Sequence, residues 1–365
     1  MNQSEIDLWH MQRALELARQ GQGHVEPNPM VGCVVVRGAE IIGQGWHRRF
    51  GDAHAEIEAL RLAGPRAAGA TMVVTLEPCC HQGKTPPCTQ AIIQSGIRRV
   101  VVAQRDPFSE VAGDGIDQLK AAGTQVDIGL LENEARRLNA PYLKLVTTGR
   151  PWTIAKWAMT LDGKIATRSG ESRWISGEAS RRVVHTLRGC VDAVIVGSQT
   201  ARHDDPLLTA RPPGPRVPIR IVLDSCAAIS SESQLVKTAR QTPVLVAAST
   251  QASPSDRQRL TNAGCEVFMC NGDTPAARLD SLLAELGRRR MTNVLVEGGA
   301  AVLGSFLDAG AIDEVHVFIA PKLIGGRDAP GPVAGTGLTE LATALHIADP
   351  HVETVTGDIY VHGRR

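Results

Sequence analysis

Four residues have the types and spacing to hold a metal and move a proton: His54 and Glu56 in the block His54-Ala55-Glu56, and Cys79 and Cys88 at the ends of Cys79-Cys80-His81-Gln82-Gly83-Lys84-Thr85-Pro86-Pro87-Cys88. Three protein ligands leave one position of a tetrahedral zinc open for water, and a carboxylate beside it that is not a ligand can carry protons. Zinc lowers the pKa of its water to about 7, so hydroxide is available at neutral pH to attack an amine-bearing ring carbon. Glu56 would take the water proton and pass it to the ring nitrogen and the departing ammonia. That is the chemistry of a zinc-dependent deaminase. Taken singly these residues say little, since a free cysteine usually packs as a small hydrophobe. His-x-Glu followed by Pro-Cys is the informative combination, although the gap to the second cysteine is longer than the usual Cys-x-x-Cys. Cys80 and His81 lie close enough to compete for the metal, and spacing alone does not exclude them. Pro78 and the Pro86-Pro87 pair restrict the backbone just before Cys79 and Cys88, which favours those two.

The elements that must position these residues alternate as in an α/β domain. Strand-like runs at 31–37 and 40–45 flank a Gly38-Ala39 turn, followed by a helix over 54–63 and a strand over 71–76. A helix at 89–95, a strand at 100–103, a helix at 116–122, a strand at 125–128 and a helix from Glu132 complete the series. His54 and Glu56 then start a helix and Cys79 follows a strand, so rigid elements can converge on one metal. Residues 1–20 read as an amphipathic helix capped at Ser4; Glu5, Asp7, Arg13, Glu16 and Arg19 exclude a secretory apolar core. The pattern breaks at Gly149-Arg150-Pro151, which divides the chain into domains 1–148 and 149–365. In the second, strands are expected at 153–158, 193–196, 219–223, 244–248, 266–269, 294–296 and 314–319. Glu297-Gly298-Gly299 then leads into a helix at 300–307, a place where free backbone N–H groups can face a phosphate. A conventional Gly-x-Gly-x-x-Gly after the first strand is absent.

Composition narrows the partners. A formal net charge of +1 and 3% aromatic residues provide neither an electrostatic track nor a stacking platform, so a small molecule is expected rather than nucleic acid. Arg288-Arg289-Arg290 and His47-Arg48-Arg49 read as solvated faces or local phosphate contacts. No uninterrupted apolar stretch is long enough to span a membrane. Eight cysteines without a signal peptide point to a reducing compartment, hence the cytoplasm. A homo-oligomer is compatible with this balance, and oligomeric state is not legible.

Over nearly its whole length the chain resembles the bifunctional deaminase/reductase family of riboflavin biosynthesis. The deaminase side of the resemblance lies in Asn28-Pro29-Met30-Val31-Gly32-Cys33, Gly45-Trp46-His47, His54-Ala55-Glu56 and the block from Pro78 to Cys88. The reductase side lies in Lys156-Trp157-Ala158-Met159-Thr160-Leu161-Asp162-Gly163-Lys164, in Ser169-Gly170-Glu171-Ser172-Arg173-Trp174-Ile175, in Thr200 with Asp204-Asp205-Pro206, and in Val296-Glu297-Gly298-Gly299. The resemblance implies a cytidine-deaminase-like three-layer αβα domain followed by a dihydrofolate-reductase-like α/β domain. It assigns zinc to His54, Cys79 and Cys88, proton transfer to Glu56, and substrate contacts to Asn28, His47 and Lys84. It assigns NADPH to Ala158, Trp174, Thr200, Asp204, Ser225 and the run Gly299, Ala300, Ala301, Val302, Leu303, Gly304 and Ser305. Lys156, Ser172, Leu208, Arg211 and Glu297 would hold the phosphoribosyl substrate. The implied reactions are hydrolytic deamination of a diaminopyrimidinone bearing a phosphoribosylamino group, then NADPH-dependent reduction of its ribosyl part to a ribityl chain.

Two departures stand out. Thr160 replaces the family's usual serine and keeps its hydroxyl, whereas Phe108-Ser109 replaces the usual Asn-Pro after Asp106-Pro107. Phe108 is expected to stack on the pyrimidine in place of the lost amide. Competing readings are a nucleoside or transfer-RNA deaminase fused to a nucleotide-binding domain, and a regulatory module whose zinc is closed by Cys80 or His81. The near-neutral charge and the 156–164 block argue against the first.

Overall fold

The computed structural model describes residues 2–82, 86–108 and 113–365. Helix α1 (Gln3–Arg19) begins with a reciprocal cap: Asn2 Oδ1 accepts the Glu5 N–H at 3.0 Å and the Glu5 carboxylate accepts the Asn2 N–H at 2.8 Å. The expected Ser4 cap is thus corrected to Asn2, the residue that has a glutamate three positions on and can close a capping box. The chain divides into two units, Met1–Gly149 and Arg150–Arg365, one residue beyond the 148/149 break.

In the first unit α1 is followed by β1 (Gly32–Arg37), β2 (Glu40–Trp46), α2 (Ala55–Ala63), β3 (Thr71–Val74), α3 (Cys88–Gln94), β4 (Arg99–Val102), α4 (Asp114–Ala121), β5 (Gln125–Ile128), α5 (Glu132–Leu138) and α6 (Ala140–Thr148). The sheet runs β2-β1-β3-β4-β5, with β1 antiparallel to both neighbours and β3, β4 and β5 parallel. Alternate strand residues serve opposite faces. Cys33, Val35, Met72 and Val100 pack with Ala55, Ala59 and Ala63 of α2, while Val34, Val36, Val73 and Val101 pack with Met11, Ala14 and Leu15 of α1. The result is three layers, αβα. Small residues let α2 sit low on the sheet: a Cβ on Gly43 would meet the Ala59 carbonyl oxygen at 2.2 Å, and one on Gly45 the Ala55 oxygen at 2.7 Å. A side chain at either position would lift the helix whose first turn carries Glu56.

The second unit comprises β6 (Trp152–Thr160), α7 (Glu178–Arg188), β7 (Ala193–Gly197), α8 (Ser198–Asp204), β8 (Ile219–Leu223), α9 (Gln234–Lys237), β9 (Val244–Ala248), α10 (Pro254–Ala263), β10 (Glu266–Met269), α11 (Pro275–Arg288), β11 (Asn293–Gly298), α12 (Ala300–Asp308), β12 (Glu314–Ala320), β13 (Ala348–Val355) and β14 (Asp358–Arg364). Its sheet order is β10-β9-β8-β7-β11-β6-β12-β14-β13. The first seven strands in that order are parallel, and β14 and β13 close the edge antiparallel. Helices cover both faces, so strands such as β7 and β9 are buried along their whole length and read as continuous apolar runs. The β13–β14 hairpin is absent from the expected elements. Its turn has positive φ at Thr356 (45°) and Gly357 (95°), the backbone of a tight hairpin. Among the described residues, no helix is long and apolar enough to cross a membrane.

Candidate active sites

His54 is the N-cap of α2, with extended backbone at φ −72° and ψ 161°, so its ring leaves the helix end while Glu56 enters the first turn. Cys79 lies beyond the end of β3, and Cys88, fully buried, is the first residue of α3. His54 Nδ1 is 3.4 Å from Cys79 Sγ and 3.3 Å from Cys88 Sγ, and all three donor atoms lie within 4.8 Å of one another. Ordinary Zn–N and Zn–S bond lengths give tetrahedral edges of roughly 3.6–3.8 Å, so one imidazole nitrogen and two sulfurs at this spacing fit zinc. Among the described residues neither Cys80 nor His81 joins this cluster.

The local electrostatics match that task. The hydrogen bond from Cys88 outweighs burial and, with His54, holds the Cys79 thiol down at about 4. The Cys79 sulfur and burial push Cys88 up. Glu56 is 3% exposed, and burial raises its carboxyl even though His54 opposes the shift. That brings the acid closer to the pH at which one group must both take and give a proton.

Asn28 and His47 stand beside the metal set. The His47 ring is edge-on to His54 at 5.4 Å, with Nε2 3.2 Å from Asn28 Nδ2 and Nδ1 3.2 Å from the Ala53 carbonyl oxygen. Since the amide nitrogen only donates, His47 accepts at Nε2 and carries its proton on Nδ1. Burial lowers its pKa and favours this neutral form. Lys84 lies outside the described residues. Phe108 is half-buried and edge-on to His81 at 6.4 Å, and its N–H donates to the Asp106 carboxylate at 3.0 Å. Glu77, two residues before Cys79, was not singled out by the sequence. Buried, it accepts the N–H groups of Asp106 and Ile116, each at 3.2 Å, and so ties the segment after β3 to both the β4–α4 connection and the first turn of α4. A glutamate next to Pro-Cys carries no signal of partners so far along the chain.

In the second unit a cleft of about 1340 Å³ opens beyond the carboxyl ends of the parallel strands, where such sheets bind ligands. Ala158, Trp174, Thr200, Asp204, Ser225, Gly299, Ala300, Ala301, Val302, Leu303 and Ser305 line it, together with Lys156, Ser172, Leu208, Arg211 and Glu297. Gly304 does not. It packs against the main chain of Ala334, whose carbonyl oxygen a Cβ would meet at 2.2 Å. The Gly298-Gly299 turn, with φ of 105° and 81°, leads from β11 into α12.

At the centre of the cleft Glu297 binds two cations: Lys156 Nζ at 3.3 Å and Arg188, whose Nη2 lies 2.8 Å from Oε2 while its Nε meets Oε1. Burial alone would raise the Glu297 carboxyl, but Arg188 and Lys156 outweigh it and hold it at about 2. Arg188 is a site residue that the sequence did not reveal, one of several arginines on α7. One turn earlier His185 accepts the Arg211 N–H at 3.3 Å, and Arg211 Nη1 donates to Thr209 Oγ1 at 2.9 Å. Ser172 Oγ donates to Asp204 at 3.3 Å, and Trp174 stands exposed with Arg181 4.4 Å over its ring.

The donor set of the first unit is that of a zinc-type deaminase, and the family matches make the second unit a reductase. Residues 4–104 match the family described as the cytidine and deoxycytidylate deaminase zinc-binding region, and residues 151–361 match the RibD C-terminal domain. The chain belongs to the RibD family of bifunctional deaminase/reductases of riboflavin biosynthesis. It is 41% identical to the riboflavin biosynthesis protein RibD of Aquifex aeolicus, covering 99% of both chains, and 39% identical to that of Escherichia coli, covering 98% of both. Among solved structures, Acinetobacter baumannii RibD superposes with a TM-score of 0.88 at 36% identity, covering 99% of both chains. The Thermotoga maritima diaminohydroxyphosphoribosylaminopyrimidine deaminase/5-amino-6-(5-phosphoribosylamino)uracil reductase gives 0.83 at 35% identity, covering 100% of this chain and 99% of that one.

Proposed function

We propose that the first unit deaminates the diaminohydroxyphosphoribosylaminopyrimidine and that the second reduces the resulting 5-amino-6-(5-phosphoribosylamino)uracil with NADPH, the two activities named for the Thermotoga relative. The observation that carries this reading is the His54–Cys79–Cys88 donor set with a buried, protonatable Glu56 two residues beyond His54. His54 Nδ1 and the two sulfurs would hold zinc, which would supply Lewis acidity towards a water. Glu56 would carry both protons of the attacking water in turn, the first to the ring nitrogen and the second, from the added hydroxyl, to the leaving amine, so that ammonia departs as the carbonyl forms. The Asn28 amide and His47 orient the pyrimidine, with Lys84 a further contact. In the second unit NADPH supplies the hydride. Ala158, Trp174, Thr200, Asp204, Ser225 and the start of α12 hold this cofactor, whose phosphate suits free helix N–H groups. Arg211 offers a planar fork to the substrate phosphate, and Glu297, kept anionic by Arg188 and Lys156, accepts ribosyl hydroxyls. Ser172 and Leu208 complete that wall. Positioning supplies most of the catalysis if the ring-opened Schiff base accepts hydride directly. The eight cysteines of the chain, three of them gathered on the proposed metal set and its flank, suit a reducing compartment, the cytoplasm.

The test is to give the purified protein the diaminopyrimidine phosphate with and without cofactor. Ammonia release without NADPH, followed by NADPH oxidation at the deaminated product, is the expected pattern. Ammonia from free cytidine instead, or equal efficiency with NADH, would overturn the substrate or the cofactor assignment respectively.

A further inference from the structure

Asn139 sits where α5 meets α6, only 1% exposed, and its amide pairs both ways with one distant residue: it accepts the Met30 N–H at 2.8 Å and donates to the Met30 carbonyl at 2.9 Å. Met30 is two residues from Asn28, in a segment that belongs to neither a helix nor a strand. The Asn139 side chain therefore supplies the ladder partner that this segment lacks. Nearly one helical turn on, Tyr142, 8% exposed, donates its hydroxyl to the Asp106 carboxylate, whose oxygens lie 3.0 and 3.1 Å away. The same carboxylate receives the Phe108 N–H at 3.0 Å, and the Asp106 N–H is anchored on Glu77.

One helix corner thus grips two separate segments. The first carries Asn28, whose amide meets His47 beside the ligand His54. The second carries Phe108, whose ring edges onto His81 two residues beyond the ligand Cys79. The metal donors and Glu56 all fall within the 4–104 region shared with other zinc deaminases, whereas Asn139 and Tyr142 lie beyond it. We infer that Asn139 and Tyr142 are positioning residues of the deaminase: they brace the Asn28 and Asp106–Phe108 segments as the two walls between which the pyrimidine is held. The inference rests on the deaminase reading above. Because the brace touches neither the metal donors nor Glu56, its loss acts on substrate binding before it acts on proton transfer.

The experiment compares Tyr142→Phe, which removes one oxygen, and Asn139→Ala in the full chain, measuring deaminase KM and kcat, zinc per chain, and reductase activity on the deaminated substrate. Both variants are expected to raise the deaminase KM about tenfold, the loss expected of a buried hydrogen bond to a charged or paired group, with kcat changed less than threefold and zinc content and reductase activity as in the unaltered enzyme. If Asn139→Ala loses its zinc, Tyr142→Phe decides alone. An unchanged KM with a lowered kcat and melting temperature, the signature of a merely structural contact, overturns the inference. Failure of the unaltered enzyme to release ammonia would instead overturn the deaminase reading itself.

Discussion

Replacing Glu297 by glutamine should destabilise the second unit by an amount that can be read from its ionisation. The carboxylate is held at about 2 against an ordinary 4.5, although its side chain is only 6% exposed, because Arg188 and Lys156 face it directly. A difference of that size corresponds to about 3 kcal/mol of stabilisation of the charged form. A carboxylate whose folded pKa is depressed contributes its full stabilisation above the unfolded value, and loses it as pH falls from 4.5 towards 2. Glu297→Gln does not titrate and leaves two cations beside a neutral amide, the costly half of breaking a buried pair. The variant should therefore melt roughly 6–12 °C lower at pH 7, scaled for a unit of this size, and the gap should narrow as pH falls towards 3. Calorimetry across this pH range measures it, with the melting of the first unit as internal reference. Equal stability at pH 7, or a gap that does not shrink in acid, would show that desolvation cancels the attraction and that this ion cluster does not hold the cleft together.

Two further outcomes address the first unit. Glu56→Gln should keep its zinc and its reductase activity while deamination falls by about 10²–10⁴, the usual worth of a positioned acid/base; a protein stripped of zinc would make Glu56 a ligand instead. Phe108→Ala should raise the deaminase KM at unaltered zinc content and melting temperature if the ring stacks on the pyrimidine, whereas a lowered melting temperature with the same KM would assign it to surface packing.

Much of the deaminase centre was legible because its chemistry is written in short blocks. His54 and Glu56 are neighbours but one, and Cys79 and Cys88 lie nine positions apart. Spacing could not choose among Cys79, Cys80, His81 and Cys88; the choice comes from Cys88 opening α3 with its sulfur fully buried against His54. Residues whose role depends on remote partners were not legible. Asn139 meets Met30 across 109 positions and Arg188 meets Glu297 across the same separation, and nothing near either residue announces its partner. The β13–β14 hairpin had a local signal in Thr356-Gly357, but β13 is exposed almost throughout, so burial never imposed a readable apolar alternation on it. Asn2 and Ser4 are both residue types that suit a cap, and the glutamate three positions after Asn2 is what closes the box there.

The seating of α2 on Gly43 and Gly45 reaches beyond packing. The helix those glycines admit is also the one that presents His54 and Glu56, so any change that thickens the sheet beneath it displaces the proposed metal ligand and the proposed proton carrier together. Substitutions elsewhere in a core are commonly absorbed by repacking at a modest loss of stability. Here an added Cβ meets main-chain atoms of α2 within 3 Å at both positions, the Ala59 oxygen under Gly43 and the Ala55 oxygen beside the Glu58 Cβ under Gly45, and main chain cannot be repacked. Sequence drift under α2 therefore has few neutral steps, and a library aimed at hardening the deaminase against heat would do better to leave these two positions fixed and vary the α1 face of the same sheet.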